Sequence, residues 1–346
     1  MRFLYLVLLA VYLLPLSAQH QSGTFLLDPR STVNFANGEG DANGLINLNA
    51  GFFFADNFVF GLTANTSVFF NSFGLEDTQL NPYLRYYLPV GVRYRPYAEV
   101  GLIGNLDAGS ELGYFGSLGL ERVLTSEVLL FARVRHEERG EFNLNISSLE
   151  AGLTTRLGRS VSPPPLGDFG WAGSFLAGGL LQLQRFSRPS FKGASAGLTV
   201  DGGYFITGQV LVNARFTLGI GATEFRFVDN VSRGTNNRFA NLGGDLGINY
   251  LLLQIGRLRP YVGVAATFDQ QFNRFEQVAP SSDPPQEFDF SSTDLSVRGG
   301  LLLQLTNRLI LDSYLGYATE SSSIDGVENF NRFVFRSGLR VSFGQP

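Results

Sequence analysis

Leu309-Ile310-Leu311-Asp312-Ser313-Tyr314-Leu315-Gly316-Tyr317 alternates with a period of two: Leu309, Leu311, Ser313, Leu315 and Tyr317 share one face, and Ile310, Asp312, Tyr314 and Gly316 the other. Successive side chains of a β-strand point to opposite sides of its sheet, so this stretch reads as a strand whose two faces meet different surroundings. The flanking stretches repeat the pattern. Leu295, Val297, Gly299, Leu301, Leu303 and Leu305 oppose Asp294, Ser296, Arg298, Gly300, Leu302 and Gln304. Phe333, Phe335, Leu339, Val341 and Phe343 oppose Val334, Arg336, Gly338, Arg340 and Ser342. One face is an apolar band, and the other mixes Arg, Asp, Gly and Tyr.

Two environments produce that pattern. A soluble sandwich turns its apolar face inward and its polar face to water. A membrane barrel inverts this, with lipid outside and a polar or mixed interior. The polar face here is rich in glycine and balanced in charge, as a cramped interior requires. Phe52, Phe54, Phe58 and Phe60 crowd the connection Ala55-Asp56-Asn57, and Tyr86 and Tyr94 flank Pro89-Val90-Gly91, where an interfacial aromatic girdle would sit. Both features favour the barrel.

Composition agrees. Of 346 residues, 41 are Gly, 32 Phe, 13 Tyr and none Cys, and only 16% are charged against about 25% in ordinary domains. Lys192 is the only lysine among 26 basic residues. A formal charge of −4 gives no basic field for nucleic acid. The absence of cysteine removes disulfides, thiolate metal sites and catalytic thiols, and His20 and His136 alone cannot build a histidine metal cluster. Met1-Arg2, the apolar run Phe3 to Leu14 and Pro15-Leu16-Ser17-Ala18 read as an export signal over residues 1–18, because the run is short of the roughly 20 apolar residues that span a bilayer.

Tight turns at 55–57, 89–91, 124–126, 206–208, 255–256 and 306–307 alternate with longer polar stretches at 37–44, 71–77, 107–111, 229–237, 277–287 and 320–328. Short turns at one end and long loops at the other predict a bacterial outer-membrane barrel with both termini periplasmic. Extended runs number eight within 19–158 and eight within 170–346. The two sets repeat each other in order: Arg95-Pro96-Tyr97 matches Arg259-Pro260-Tyr261, Gly51 to Asn57 matches Gly202 to Gly208, and Ala151 to Leu157 matches Ser337 to Phe343.

On these residues each half resembles the eight-stranded outer membrane protein β-barrel family that includes outer membrane proteins A, X and W. The final strand, Arg336 to Phe343, is similar to that family's terminal assembly signal, with Gly338, Val341 and Phe343 at the signal positions and Gly344-Gln345-Pro346 added beyond it. The resemblance implies insertion by the barrel-assembly machinery, contact with outer-membrane lipids and lipopolysaccharide, and no cofactor. It implies no activity, because this fold carries many functions.

The expected fold is therefore all-β, a transmembrane antiparallel barrel of sixteen strands. Two tandem eight-stranded barrels joined by a Pro-rich periplasmic linker at 159–169 compete with a single sixteen-stranded barrel. Eight strands give an interior filled by side chains, whereas sixteen leave an aqueous lumen. Inward Phe53, Tyr97, Phe131, Tyr261, Tyr314 and Val334 favour two narrow barrels. Glu99, Arg133, Arg135, Glu150, Arg156, Asp201, Arg215, Asp245, Arg259, Asp294, Arg298, Asp312, Arg336 and Arg340 also face inward, and their near equality of sign predicts an interior charge network.

His136, beside Glu137 and Glu138 with Ser147 and Ser148 on the next strand, has the composition of a hydrolase site near one rim, resembling lipid A deacylases. Its parity, however, sets it with Val134 and Ala132 on the lipid side. The acidic loop Asn37 to Gly44 lacks EF-hand spacing, and no metal site is expected. The expectation is a non-enzymatic outer-membrane barrel with a structural or surface-interaction role and an unknown extracellular ligand. Its alternatives are a passive porin-like channel and a lipid-modifying hydrolase.

Overall fold

The computed structural model describes residues 22–28, 32–37, 42–69, 74–89, 93–106, 112–125, 127–139, 144–158, 172–188, 191–226, 234–278, 286–306, 308–322 and 330–343. The expected signal segment, the Pro-rich linker and half of the acidic loop (38–41) lie outside these residues. The strands are β1 (Phe25–Leu27), β2 (Thr32–Asn37), β3 (Ala42–Ala55), β4 (Phe58–Phe69), β5 (Gly74–Tyr87), β6 (Tyr94–Asn105), β7 (Gly113–Val123), β8 (Val128–Arg139) and β9 (Leu144–Leu157), followed by β10 (Phe175–Arg188), β11 (Phe191–Thr207), β12 (Val210–Arg226), β13 (Gly234–Leu251), β14 (Leu258–Val278), β15 (Gln286–Gln304), β16 (Leu309–Ser322) and β17 (Phe330–Phe343). All pairings are antiparallel, and β1 and β2 are two segments of one wall position, so the protein is a closed sixteen-position β-barrel.

The wall changes partners with height. At the end carrying the tight turns, β1 pairs with β9 through Leu27↔Thr155, closing the first eight strands on themselves. There β10 pairs with β17 through Phe175↔Phe343, closing the second eight. Toward the loop end, β9 leaves β1 and pairs with β10 from Gly152↔Leu180 to Asn145↔Ser187. At that height β17 pairs with β2 from Gly338↔Thr32 to Phe333↔Asn37. Two eight-stranded rings at the turn end thus merge into one sixteen-stranded perimeter, and the two expected arrangements coexist at different heights. Gly179 sits where β10 swings from β17 to β9; a Cβ there would stand 2.7 Å from the Thr199 carbonyl oxygen.

Outward faces carry the apolar band, with Leu118, Val134, Leu246, Leu295, Val297 and Leu315 all more than half exposed. Hydrocarbon is the surrounding that such a face needs, which makes the barrel transmembrane. One correction applies. Leu309 and Val341 belong by parity to that band, yet both are fully buried, as are outward Val128 and Thr155 of the first half. These four lie where the two rings touch, and Thr306 donates to Glu127 across the same contact.

Aromatic rings lying over cross-strand glycines account for much of the unusual composition. The Tyr97 ring covers Gly119, directly opposite it on β7, and the Tyr261 ring covers Gly300, directly opposite on β15. A Cβ at either glycine would overlap the phenol. Both tyrosines belong to the repeated Arg-Pro-Tyr stretch, and each lies on the fifth wall position of its eight.

Candidate functional site

The first lumen is filled. Leu26, Phe53, Val59, Tyr87 and Leu129 are buried at or below 3% exposure and form one apolar cluster with Tyr83, Tyr97, Ile103 and Phe115. Phe53 and Tyr87 stack at 5.7 Å between centroids, and Tyr87 meets Tyr97 at 5.5 Å. Arg85 lies among these rings, 4.3 Å from the Tyr97 centroid. Its Nε and Nη2 reach Glu99 Oε2 at 2.8 and 2.7 Å, and its Nη1 donates to Glu121 Oε1 and to the Tyr87 hydroxyl, each at 3.0 Å. The Tyr87 hydroxyl in turn donates to Glu121 at 2.8 Å.

The network continues upward. Arg133 pairs with Glu150 at 2.8 Å and with the other Glu99 oxygen at 3.5 Å, while Arg135 pairs with Glu137 at 2.7 Å. Charges so enclosed are tolerable only when paired and hydrogen-bonded, and the planar guanidinium suits that task better than an ammonium. A space of about 20 Å³, room for about one water, remains beside Arg85.

The second lumen has a similar floor and a roomier body. Leu176, Phe205, Leu211, Leu251, Leu302 and Ile310 pack with Tyr261, each at or below 2% exposure. Above them the Tyr261 hydroxyl donates to Asp312 at 2.7 Å, and Arg340 bridges Asp312 at 3.2 Å and Asp201 at 3.3 Å while donating to Asn213 at 2.7 Å. Arg215 pairs with Asp201, its directly opposed neighbour, and Arg298 approaches Asp245 at 3.6 Å. Over this layer lie cavities of about 200 and 300 Å³ that share Arg215, Tyr314 and Arg336 in their linings. Arg336 has no ion pair among the described residues.

The remaining positions expected inside sort as follows. Arg259 is buried low in the second half and donates to the Gly208 carbonyl. Asp294 is buried in the lining of the larger cavity. Arg156 sits in the ladder between β1 and β9 near the turn end, opposite Leu26. Gly338 is directly opposed to Asp312 of β16, Val341 is fully buried, and Phe343 stacks on Phe175 at 5.0 Å. Arg85 and Glu121 were not among the expected residues, although Arg85 has the most partners in the first network. The signal for Arg85 was the alternation Tyr83, Arg85, Tyr87 against Leu84 and Tyr86, hidden in a stretch that also reads as girdle.

His136 faces outward, and its Nδ1 lies 2.9 Å from Ser147 Oγ on β9. Ser148 turns inward and donates to Glu150 at 3.3 Å, so only one of the two serines meets the histidine. Among the described residues no group of three or more His, Cys, Asp and Glu is placed to hold a metal ion.

No family model matches the chain, and no curated protein matches it. Solved structures to which it is similar include a bacterial polysaccharide outer membrane secretin, at 8% identity and TM-score 0.45 over 94% of this chain and 99% of that one. Another is the CymD monoaromatic hydrocarbon channel, at 14% identity and TM-score 0.31 over 95% of this chain and 90% of that one. The N-terminal β-barrel domain of Pseudomonas aeruginosa OprF is similar over 50% of this chain and 98% of its own, at 17% identity and TM-score 0.22.

Proposed function

We propose that the protein is an integral outer-membrane β-barrel with a structural or surface-interaction role and no catalysis, its termini periplasmic and its long loops extracellular. The observation that carries this reading is that both eight-stranded rings hold packed apolar clusters at their turn ends, with a space of about 20 Å³ beside Arg85 in the first. A passive pore needs a continuous aqueous path, and packed Phe, Leu and Tyr layers deny it one. The export signal, the short-turn and long-loop asymmetry and the terminal strand support the membrane and its orientation. Duplication of an ancestral eight-stranded unit is supported by the matched Tyr97 and Tyr261 layers.

The channel reading draws on one feature, the cavities of about 200 and 300 Å³ above the floor of the second half. Planar-bilayer recording separates the two. The filled-lumen reading expects a silent membrane at protein levels that insert by other criteria. Sustained steps of porin size would establish the channel and reject a structural role.

A further inference from the structure

Where the two halves join, the outer wall from β8 to β13 holds an apolar depression of about 670 Å³, bounded by outward Val134, Leu149, Leu183, Ala196 and Ile220. Its loop-end edge is polar and ordered by register. Arg185 stands opposite Ser147, and Ser147 opposite His136, to which it is bonded. One row further lie Lys192, Ser187, Asn145, Glu138 and Tyr114, each facing the next across a strand pair, with Glu138 bonded to Tyr114. Arg185 is exposed and has no carboxylate partner among the described residues; Glu224 faces Lys192 from β12.

An unpaired guanidinium at the lip of a greasy groove on a membrane-facing wall complements one kind of molecule, an acyl lipid with a phosphate. Hydroxyl, amide and imidazole groups in the cation's own row and in the row beyond it suit a hydroxyl-rich sugar headgroup better than a small phospholipid head. We propose that this groove binds one phosphorylated, acylated glycolipid of the leaflet at the loop end. An acyl chain lies along Val134, Leu183 and Ile220, the phosphate sits on Arg185 with Lys192 behind it, and sugar hydroxyls meet Ser147, His136 and Asn145. The inference rests on the membrane-barrel reading and adds a ligand to it.

The test is native mass spectrometry of the purified protein in detergent micelles titrated with lipid A, with phosphatidylglycerol as the competing anionic lipid. One retained lipid A per protein is expected. Arg185→Glu should weaken retention at least about tenfold, the worth of one charge-assisted bond, and Ala196→Trp, which fills the groove, should abolish it. Both side chains point outward, so folding, read from heat-modifiable migration, should not change. Unchanged retention in both variants, or equal retention of phosphatidylglycerol, overturns the glycolipid site. Ser147-dependent release of fatty acid also overturns it, because the His136–Ser147 pair would then be a hydrolase. Failure of the membrane reading is distinct: the protein would stay soluble and monomeric without detergent and would retain no lipid of either class.

Discussion

Arg85→Met removes the cation that organises the first lumen. Arg85 is 7% exposed and makes contacts of 2.7 to 3.0 Å with Glu99, Glu121 and Tyr87. The two carboxylates it leaves behind are not equally served. Glu99 keeps Arg133 at 3.5 Å and the Ser117 hydroxyl at 3.3 Å, whereas Glu121, fully buried, keeps the Tyr87 hydroxyl at 2.8 Å as its closest donor. Breaking a buried pair from one side costs about 3–5 kcal/mol, because the abandoned charge remains in a medium of low dielectric constant. Methionine fills most of the arginine stem's volume, so the loss should be electrostatic rather than a cavity effect. Adding Glu121→Gln removes the abandoned charge and should restore about 1–3 kcal/mol. Equilibrium urea unfolding in phospholipid vesicles, followed by far-ultraviolet circular dichroism, measures both steps. A loss below about 1 kcal/mol for Arg85→Met, the level of an exposed pair, would refute the buried network. So would a double variant no more stable than the single.

Cysteine pairs test the forked wall in a chain that has no cysteine of its own. Ala151→Cys with Leu181→Cys, and separately Phe175→Cys with Phe343→Cys, should both form disulfides, read from non-reducing migration and peptide mass. Separate barrels would give only the second, and a uniform sixteen-stranded barrel only the first. Gly300→Val should cost about 1–3 kcal/mol by pushing the Tyr261 ring off its seat, while Gly299→Val, with nothing within 4 Å of its would-be Cβ, should change stability by less than about 0.5 kcal/mol. Phe205→Ala with Leu302→Ala should open small single-channel steps through the second half. Phe53→Ala should stay silent, because the Arg85 network still blocks the first lumen.

Much of this was readable from period-two alternation. That pattern alone assigns Asp201 and Arg215, and Arg133 and Glu150, to the inner face, and each pair proves directly opposed once the hairpin register is known. Alternation reports which face a side chain takes but not what covers that face. Leu309 and Val341 do point outward, but their cover is the other half of the same chain, joined through Glu127 and Thr306 across 179 residues of sequence. Arg85 and Glu121 escaped for a different reason. Aromatics and charges near tight turns have an interfacial use as well as an interior one, and local sequence does not distinguish them.

The partner exchange follows from the cost of open edges. Within hydrocarbon each unsatisfied backbone group costs several kcal/mol, so a wall can divide only where every strand that loses a neighbour gains another. Four wall positions meet that demand together: β9 moves from β1 to β10, β10 from β17 to β9, β17 from β10 to β2, and the β1–β2 position from β9 to β17. The same geometry decides where material could pass. Eight-stranded rings close around side chains and hold the Phe53 and Phe205 layers, while both larger cavities line the second half above its floor, toward the shared perimeter. A chamber floored by packed Leu, Ile, Phe205 and Tyr261 can hold a solute without conducting it. Conductance that appears only when the floor is truncated is therefore the behaviour this wall predicts.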